Sequence, residues 1–137
     1  MILLIGTDES LLEGLTQLLA GNGQRVRIAH SVAEAEEIAV QTLPLLVVVN
    51  RELVTDDGGA RVCQIALAPG GAYVLYRAMT EEGGSLALPH SIARQTLADL
   101  SLPLERQRLL ALAQYVGARA RGSGRARSDT PPEQRVP

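Results

Sequence analysis

The chain has no lysine, no phenylalanine and no tryptophan, and its 137 residues include one cysteine and three tyrosines. Without lysine, Schiff-base and lysine general-base chemistry are excluded, because arginine keeps its proton near neutral pH. A GC-rich coding sequence is the simplest reason for an all-arginine set. The tyrosines are Tyr73, Tyr76 and Tyr115, so the core must be built from Leu, Val, Ile and Ala. So few rings also argue against nucleic-acid binding by base stacking. A lone Cys63 excludes an internal disulfide, fits a reducing compartment and reads as a small core residue. No run approaches the roughly 20 apolar residues that cross a bilayer. The opening MILLIG has no basic leader and reads as a first strand. A cytoplasmic location is expected.

The apolar fraction, 46%, suits one globular domain of ordinary size. Net charge is −2, unevenly divided. Residues 1–116 hold eight arginines against 13 acids, and residues 117–137 hold five arginines against two. Strand and helix signals alternate along the acidic body. Residues 2–6 (ILLIG) are a continuous apolar run of the kind buried on both faces of a parallel sheet. Leu11, Leu12, Leu15, Leu18 and Leu19 then recur at helical spacing, stopped by Gly21, Asn22 and Gly23. Residues 25–29 (RVRIA) alternate, as in a strand nearer the sheet edge. Ser31 and Glu34 form a capping box that opens a second helix.

Pro44 separates that helix from the third strand, residues 45–50 (LLVVVN). A polar loop and a third helix near 60–67 follow, then the turn Pro69-Gly70-Gly71 and a fourth strand at 72–76. A fourth helix is expected from Pro89 or Ser91, a fifth strand at 98–102 and a clear amphipathic helix at 104–116. Five strand-then-helix repeats predict an α/β fold: a flavodoxin-like, five-stranded parallel sheet in a three-layer sandwich, with any site at the carboxyl ends of the strands. Residues 1–117 form this domain. Residues 118–137 lack apolar periodicity and read as a disordered, Arg-rich tail. The opening Met1 and the polar tail give the expectation of a short natural chain.

In the order and spacing of its elements the chain resembles the receiver domain of response regulators over residues 1 to about 117. Asn50 ends the third strand where that family places a phosphorylatable aspartate. Gly6-Thr7-Asp8-Glu9-Ser10 matches the acidic stretch after the first strand, with Thr7 at the first acidic position and Asp8 at the second. Asp57-Gly58 follows Asn50 at the family's spacing, and Leu102-Pro103 replaces a Lys-Pro pair. Tyr76 or Arg77 stands at the switch-hydroxyl position and Asp99 or Leu100 at the aromatic one, depending on a one-residue choice of alignment. A receiver needs a carboxylate nucleophile, acids to hold Mg²⁺ and a lysine to neutralise the phosphoryl group. Of these chemical positions only Asp8 is kept. An alternative alignment makes residues 85–90 (SLALPH) the fifth strand and puts His90 at the lysine position. The full-length alignment is preferred because it keeps all ten elements.

The resemblance therefore implies a degenerate pseudo-receiver, whose site residues are Asn50, Thr7, Asp8, Arg77 and Leu102. No catalytic role and no cofactor are expected. Asp8 and Glu52, with Glu9, Asp56 and Asp57 nearby, are the only candidates for a weak Mg²⁺ site, and they read better as solvated loop carboxylates. Asp8 is expected to cap the first helix or to pair with Arg77. His30 and His90 lack neighbouring ligands, and no nucleophile elbow, P-loop or dinucleotide fingerprint is present. The expected function is a protein–protein interaction module in bacterial signal transduction. The alternative is a degenerate receiver that still binds Mg²⁺ or a small ligand at the strand ends and switches. The expected partner is a signalling protein or a second copy, with neither membrane nor nucleic acid involved. Its contact surface would be the fourth helix, fifth strand and fifth helix, presenting Arg94, Gln95, Glu105, Arg106 and Arg108.

Overall fold

A computed structural model describes residues 1–54, 61–62, 64–78 and 96–128. Five strands form one sheet: β1 (Ile2–Ile5), β2 (Val26–Ala29), β3 (Leu46–Asn50), β4 (Ala72–Ala78) and β5 (Thr96–Leu102). Their order is β2-β1-β3-β4-β5 and every pairing is parallel. A parallel neighbour can be reached only by a crossover, and the crossovers carry the helices to the sheet faces. The first three strands and the preferred fifth strand fall where the sequence puts them. The alternation of β2 reflects its place at the edge of the sheet.

Period-two geometry sorts the apolar runs into two layers. Ile2, Leu4, Leu46, Val48, Val74 and Leu100 face one side, where they meet Leu12, Leu15 and Leu19 of α1 (Glu9–Ala20). On the same side Leu109, Ala113 and Val116 belong to α3 (Arg106–Ser128). Leu3, Ile5, Val47, Val49 and Leu75 face the other side, with Val32, Ala35, Ile38 and Ala39 of α2 (Val32–Gln41). Each fully buried Leu or Val in these layers contributes about 1.5–3 kcal/mol of transfer free energy. This two-sided demand is why β1 and β3 are apolar without interruption.

Local signals fix the ends of the elements. Asp8 caps α1, its Oδ1 accepting from the Leu11 N–H at 3.1 Å. Ser31 caps α2, its Oγ accepting from the Glu34 N–H at 3.1 Å, and the Glu34 carboxylate reaches one residue further back than in the usual box, to the His30 N–H at 2.6 Å. Gly23 adopts a φ of 86°, a conformation open to glycine at little cost, and so turns the chain from α1 into β2.

The third expected helix is described only in part: Arg61 and Val62 are helical, and Val62 and Ile65 are buried beneath the α2 side of the sheet. Cys63, the expected fourth helix and the alternative strand at 85–90 lie outside the described residues.

The last helix differs from expectation. It runs through the boundary placed at 117 and continues to Ser128, while residues 129–137 lie outside the described residues. Its 23 residues span about 34 Å, against about 23 Å for the seven-residue strands β4 and β5. Contacts near its middle show what holds the extra turns. Arg119 Nη2 donates to the Gly70 carbonyl at 2.8 Å, and its guanidinium lies 5.5 Å from the centre of the Tyr115 ring. A Cβ at Gly70 would lie 3.2 Å from Ala120 Cα. The helix therefore docks on the turn before β4, through contacts that apolar periodicity does not register.

Candidate functional site

The carboxyl ends of β1, β3 and β4 meet at one edge of the sheet, and Asn50 is the last residue of β3. It is 3% exposed, the only fully buried polar or charged residue among those described. Its side-chain oxygen accepts from the Glu52 N–H at 3.0 Å, forming an Asx turn that starts the 3-10 turn Arg51–Val54. The amide at this position thus has a structural use: it satisfies a backbone donor as the chain leaves the sheet.

Tyr76 pairs with Asn50 across the β3–β4 ladder and is 0% exposed. Its hydroxyl approaches the Ile5 carbonyl at 3.5 Å, a long hydrogen bond. Because β3 lies between β4 and β1, this side chain crosses the full width of β3 to touch the end of β1. It reaches the place that a side chain on residue 6 would take. A Cβ on Gly6 would stand 2.1 Å from the Tyr76 oxygen and 3.3 Å from Cζ.

The structure brings Asn50 together with Tyr76, and leaves other expected site residues in different surroundings. Thr7 and Asp8 are exposed just beyond β1, and the Asp8 carboxylate caps α1. The Asp8–Arg77 alternative is not what forms. No ion pair joins the two, and alternation along β4 is the reason. Tyr76 faces the α1 side, so Arg77 faces away from the helix that Asp8 caps. Leu102 is buried in the core with Tyr76 and Leu109, where a lysine would have to carry its charge out to the strand ends. Among the described residues, no three His, Cys, Asp or Glu side chains are grouped to hold a metal ion. Glu52 is exposed. His30 lies 3.6 Å from Glu9 and 3.5 Å from Glu34, while His90, Asp56 and Asp57 lie outside the described residues.

On the expected contact surface, Arg106 and Arg108 are exposed and Glu105 half-buried. Glu105 Oε1 accepts from the Ser101 N–H at 2.7 Å, and Oε2 from Arg108 Nη1 at 3.1 Å. The Ser101 amide foremost, then Arg108, holds the Glu105 carboxyl below the usual glutamate range, against a smaller opposing effect of burial. Arg94 and Gln95 lie outside the described residues. The Leu102–Pro103 bond, between β5 and α3, is cis.

Three residues at this end make contacts that sequence reasoning did not foresee. Gly6 carried one weak signal, a glycine directly after a buried strand. Arg51 and Asp99 carried none as a pair: Arg51 Nη1 lies 2.9 Å from Asp99 Oδ2, joining the end of β3 to β5.

No protein-family profile and no curated protein sequence matches the chain. Solved structures do match. A response regulator receiver domain protein (CheY-like) from Methanospirillum hungatei gives a TM-score of 0.66 at 19% identity, over 88% of this chain and 96% of that one. The chain has the receiver fold. A signal receiver domain from Vibrio parahaemolyticus gives 0.69 at 16% identity, over 91% and 95% of the two chains. The receiver domain from Methylobacillus flagellatus gives 0.63 at 18%, over 84% and 96%. The receiver fold puts Asn50 at the end of the central strand of its sheet. Among the described residues, no helix is long and apolar enough to cross a membrane.

Proposed function

We propose that the chain is a receiver-fold module that works without phosphorylation, as a protein–protein interaction partner in bacterial signal transduction. One observation carries the reading. Asn50, at the position the family resemblance gives to the phosphoacceptor, is buried and its oxygen serves the Glu52 N–H. A neutral amide is a poor nucleophile toward phosphorus and brings no charge to hold Mg²⁺. The surroundings support the same reading: Asp8 caps a helix, and Leu102 is a core residue at the lysine position.

The contact surface belongs on the outer side of α3 and the turn before it. Leu104 and Tyr115 are large apolar residues left 68% and 55% exposed. Leu104 lies in the turn just before α3 and Tyr115 about two and a half helical turns into it. Arg106 and Arg108 are exposed between them. An apolar pair with arginines around it is the composition of a protein-binding patch. The partner is a signalling protein or a second copy of the chain, and neither nucleic acid nor membrane is part of this reading.

The test is incubation of the full chain with acetyl phosphate and Mg²⁺, followed by intact-mass measurement. The expected result is an unchanged mass. A stable gain of one phosphoryl group, mapped to residues at the strand ends, would overturn the proposal.

A further inference from the structure

The fit between Tyr76 and Gly6 deepens the reading of a strand-end site without phosphoryl chemistry, and rests on it. Tyr76 is the largest of the fully buried side chains among the described residues. Its ring is directed not only into the core layer but toward the ends of the strands, where its oxygen reaches the Ile5 carbonyl. The missing side chain on Gly6 is what admits it, since any Cβ there would lie 2.1 Å from the hydroxyl. Gly6 does not have the positive φ of Gly23 and Gly70. Its backbone therefore suits alanine, and the phenol alone stands in the way.

We propose that the Tyr76 side chain is an internal plug in the strand-end site, admitted by Gly6, that holds the ends of β1, β3 and β4 in one arrangement. A ligand entering between Asn50 and the end of β1 would have to displace a fully buried ring, returning a large apolar surface to water. The module then has one state at this end of the sheet, set by its own chain and not by a bound ion or group.

A double-mutant cycle on the full chain tests the pairing. Gly6→Ala in the wild-type background meets the hydroxyl and lowers Tm by about 5–10 °C, as overpacking does in a chain of this size. In the Tyr76→Phe background the nearest remaining ring atom is Cζ, 3.3 Å from the new Cβ, and the same change costs less than half as much, whatever Tyr76→Phe costs alone. If Gly6→Ala does not fold, folding of the double variant is the rescue that supports the pairing. A Gly6→Ala chain as stable as wild type, an equal loss in both backgrounds, or failure of both chains to fold would overturn it.

The fixing role has its own readout. In Tyr76→Leu, the Gly6 amide, bonded to the Ala29 carbonyl at 3.1 Å, should exchange its hydrogen at least about tenfold faster. The Ile2 amide, bonded to the Arg25 carbonyl at 2.7 Å at the far end of β1, should stay within about threefold. Equal acceleration of both, or of neither, would contradict a local lock. Neither experiment involves phosphorylation, so each proposal can fail without the other.

Discussion

Arg51 Nη1 lies 2.9 Å from Asp99 Oδ2, tying the residue after β3 to the edge strand β5 across the intervening β4. The arginine side chain is only 13% exposed and the aspartate 41%. A pair this sheltered holds its geometry better than a surface ion pair, and the buried arginine stem adds packing. Arg51→Ala should cost about 1–2 kcal/mol and Asp99→Asn about 0.5–1 kcal/mol, with a double variant less destabilised than their sum. Urea denaturation of the four chains checks this, and added salt should weaken the coupling only partly.

Asn50→Asp restores a carboxylate where the fold leaves 3% exposure. Burial disfavours its charged form, so its folded pKa should lie above the unfolded value of about 3.9. The variant should therefore match wild type below about pH 3.9, lose stability as the pH rises, and level off above the folded pKa. The expected loss at pH 7 is about 1–3 kcal/mol. Comparing denaturation midpoints at pH 4 and pH 7 measures it, and an Asp variant as stable as wild type at pH 7 would mean a roomier, wetter site.

Glu105 gives the wild-type chain an acid-dependent contact of its own. Its carboxyl is held below its ordinary value of 4.5 in the folded state, chiefly by the Ser101 amide. A lowered folded pKa means the unfolded chain takes up the proton first. The contribution is thus complete above 4.5 and disappears as the pH falls through the folded value. The Tm difference between wild type and Glu105→Gln should be present at pH 7 and close in more acid solution.

The docked end of α3 is open to a simple test. Gly70 has a φ of 84° and no room for a Cβ before Ala120. Gly70→Ala should cost about 1–2 kcal/mol from backbone conformation alone, and Ala120→Leu should be destabilising by steric conflict with the same turn. Arg119→Ala, which removes the bond to the Gly70 carbonyl, should cost about 0.5–1.5 kcal/mol. Thermal unfolding of the three variants provides the check. Losses near zero in all three would show that the helix does not rest on this turn in solution.

These positions show which features the sequence could and could not reveal. β1 and β3 were legible because burial on both faces demands an unbroken apolar run, and α1 because its leucines recur at 3.6-residue spacing. Asn50 was legible because it ends such a run. The extra turns of α3 were not, since they rest on Arg119, Gly70 and Ala120, which form no apolar stripe. Nor was the Tyr76–Gly6 fit, which joins residues 70 apart through a missing side chain. The Arg77–Asp8 pairing failed for a related reason. A one-residue shift in β4 reverses which side chain faces α1, and nothing local to the sequence fixes that choice.

The proposed closed, chemically silent state of the strand-end site can be read residue by residue in an amide NMR titration of the full chain. Mg²⁺ is added first, then beryllofluoride as a phosphoryl mimic. No saturable shift is expected at Thr7, Asp8, Asn50 or Glu52. Saturable shifts at these residues, spreading into α3, would instead show a site that is open and still switches without an aspartate.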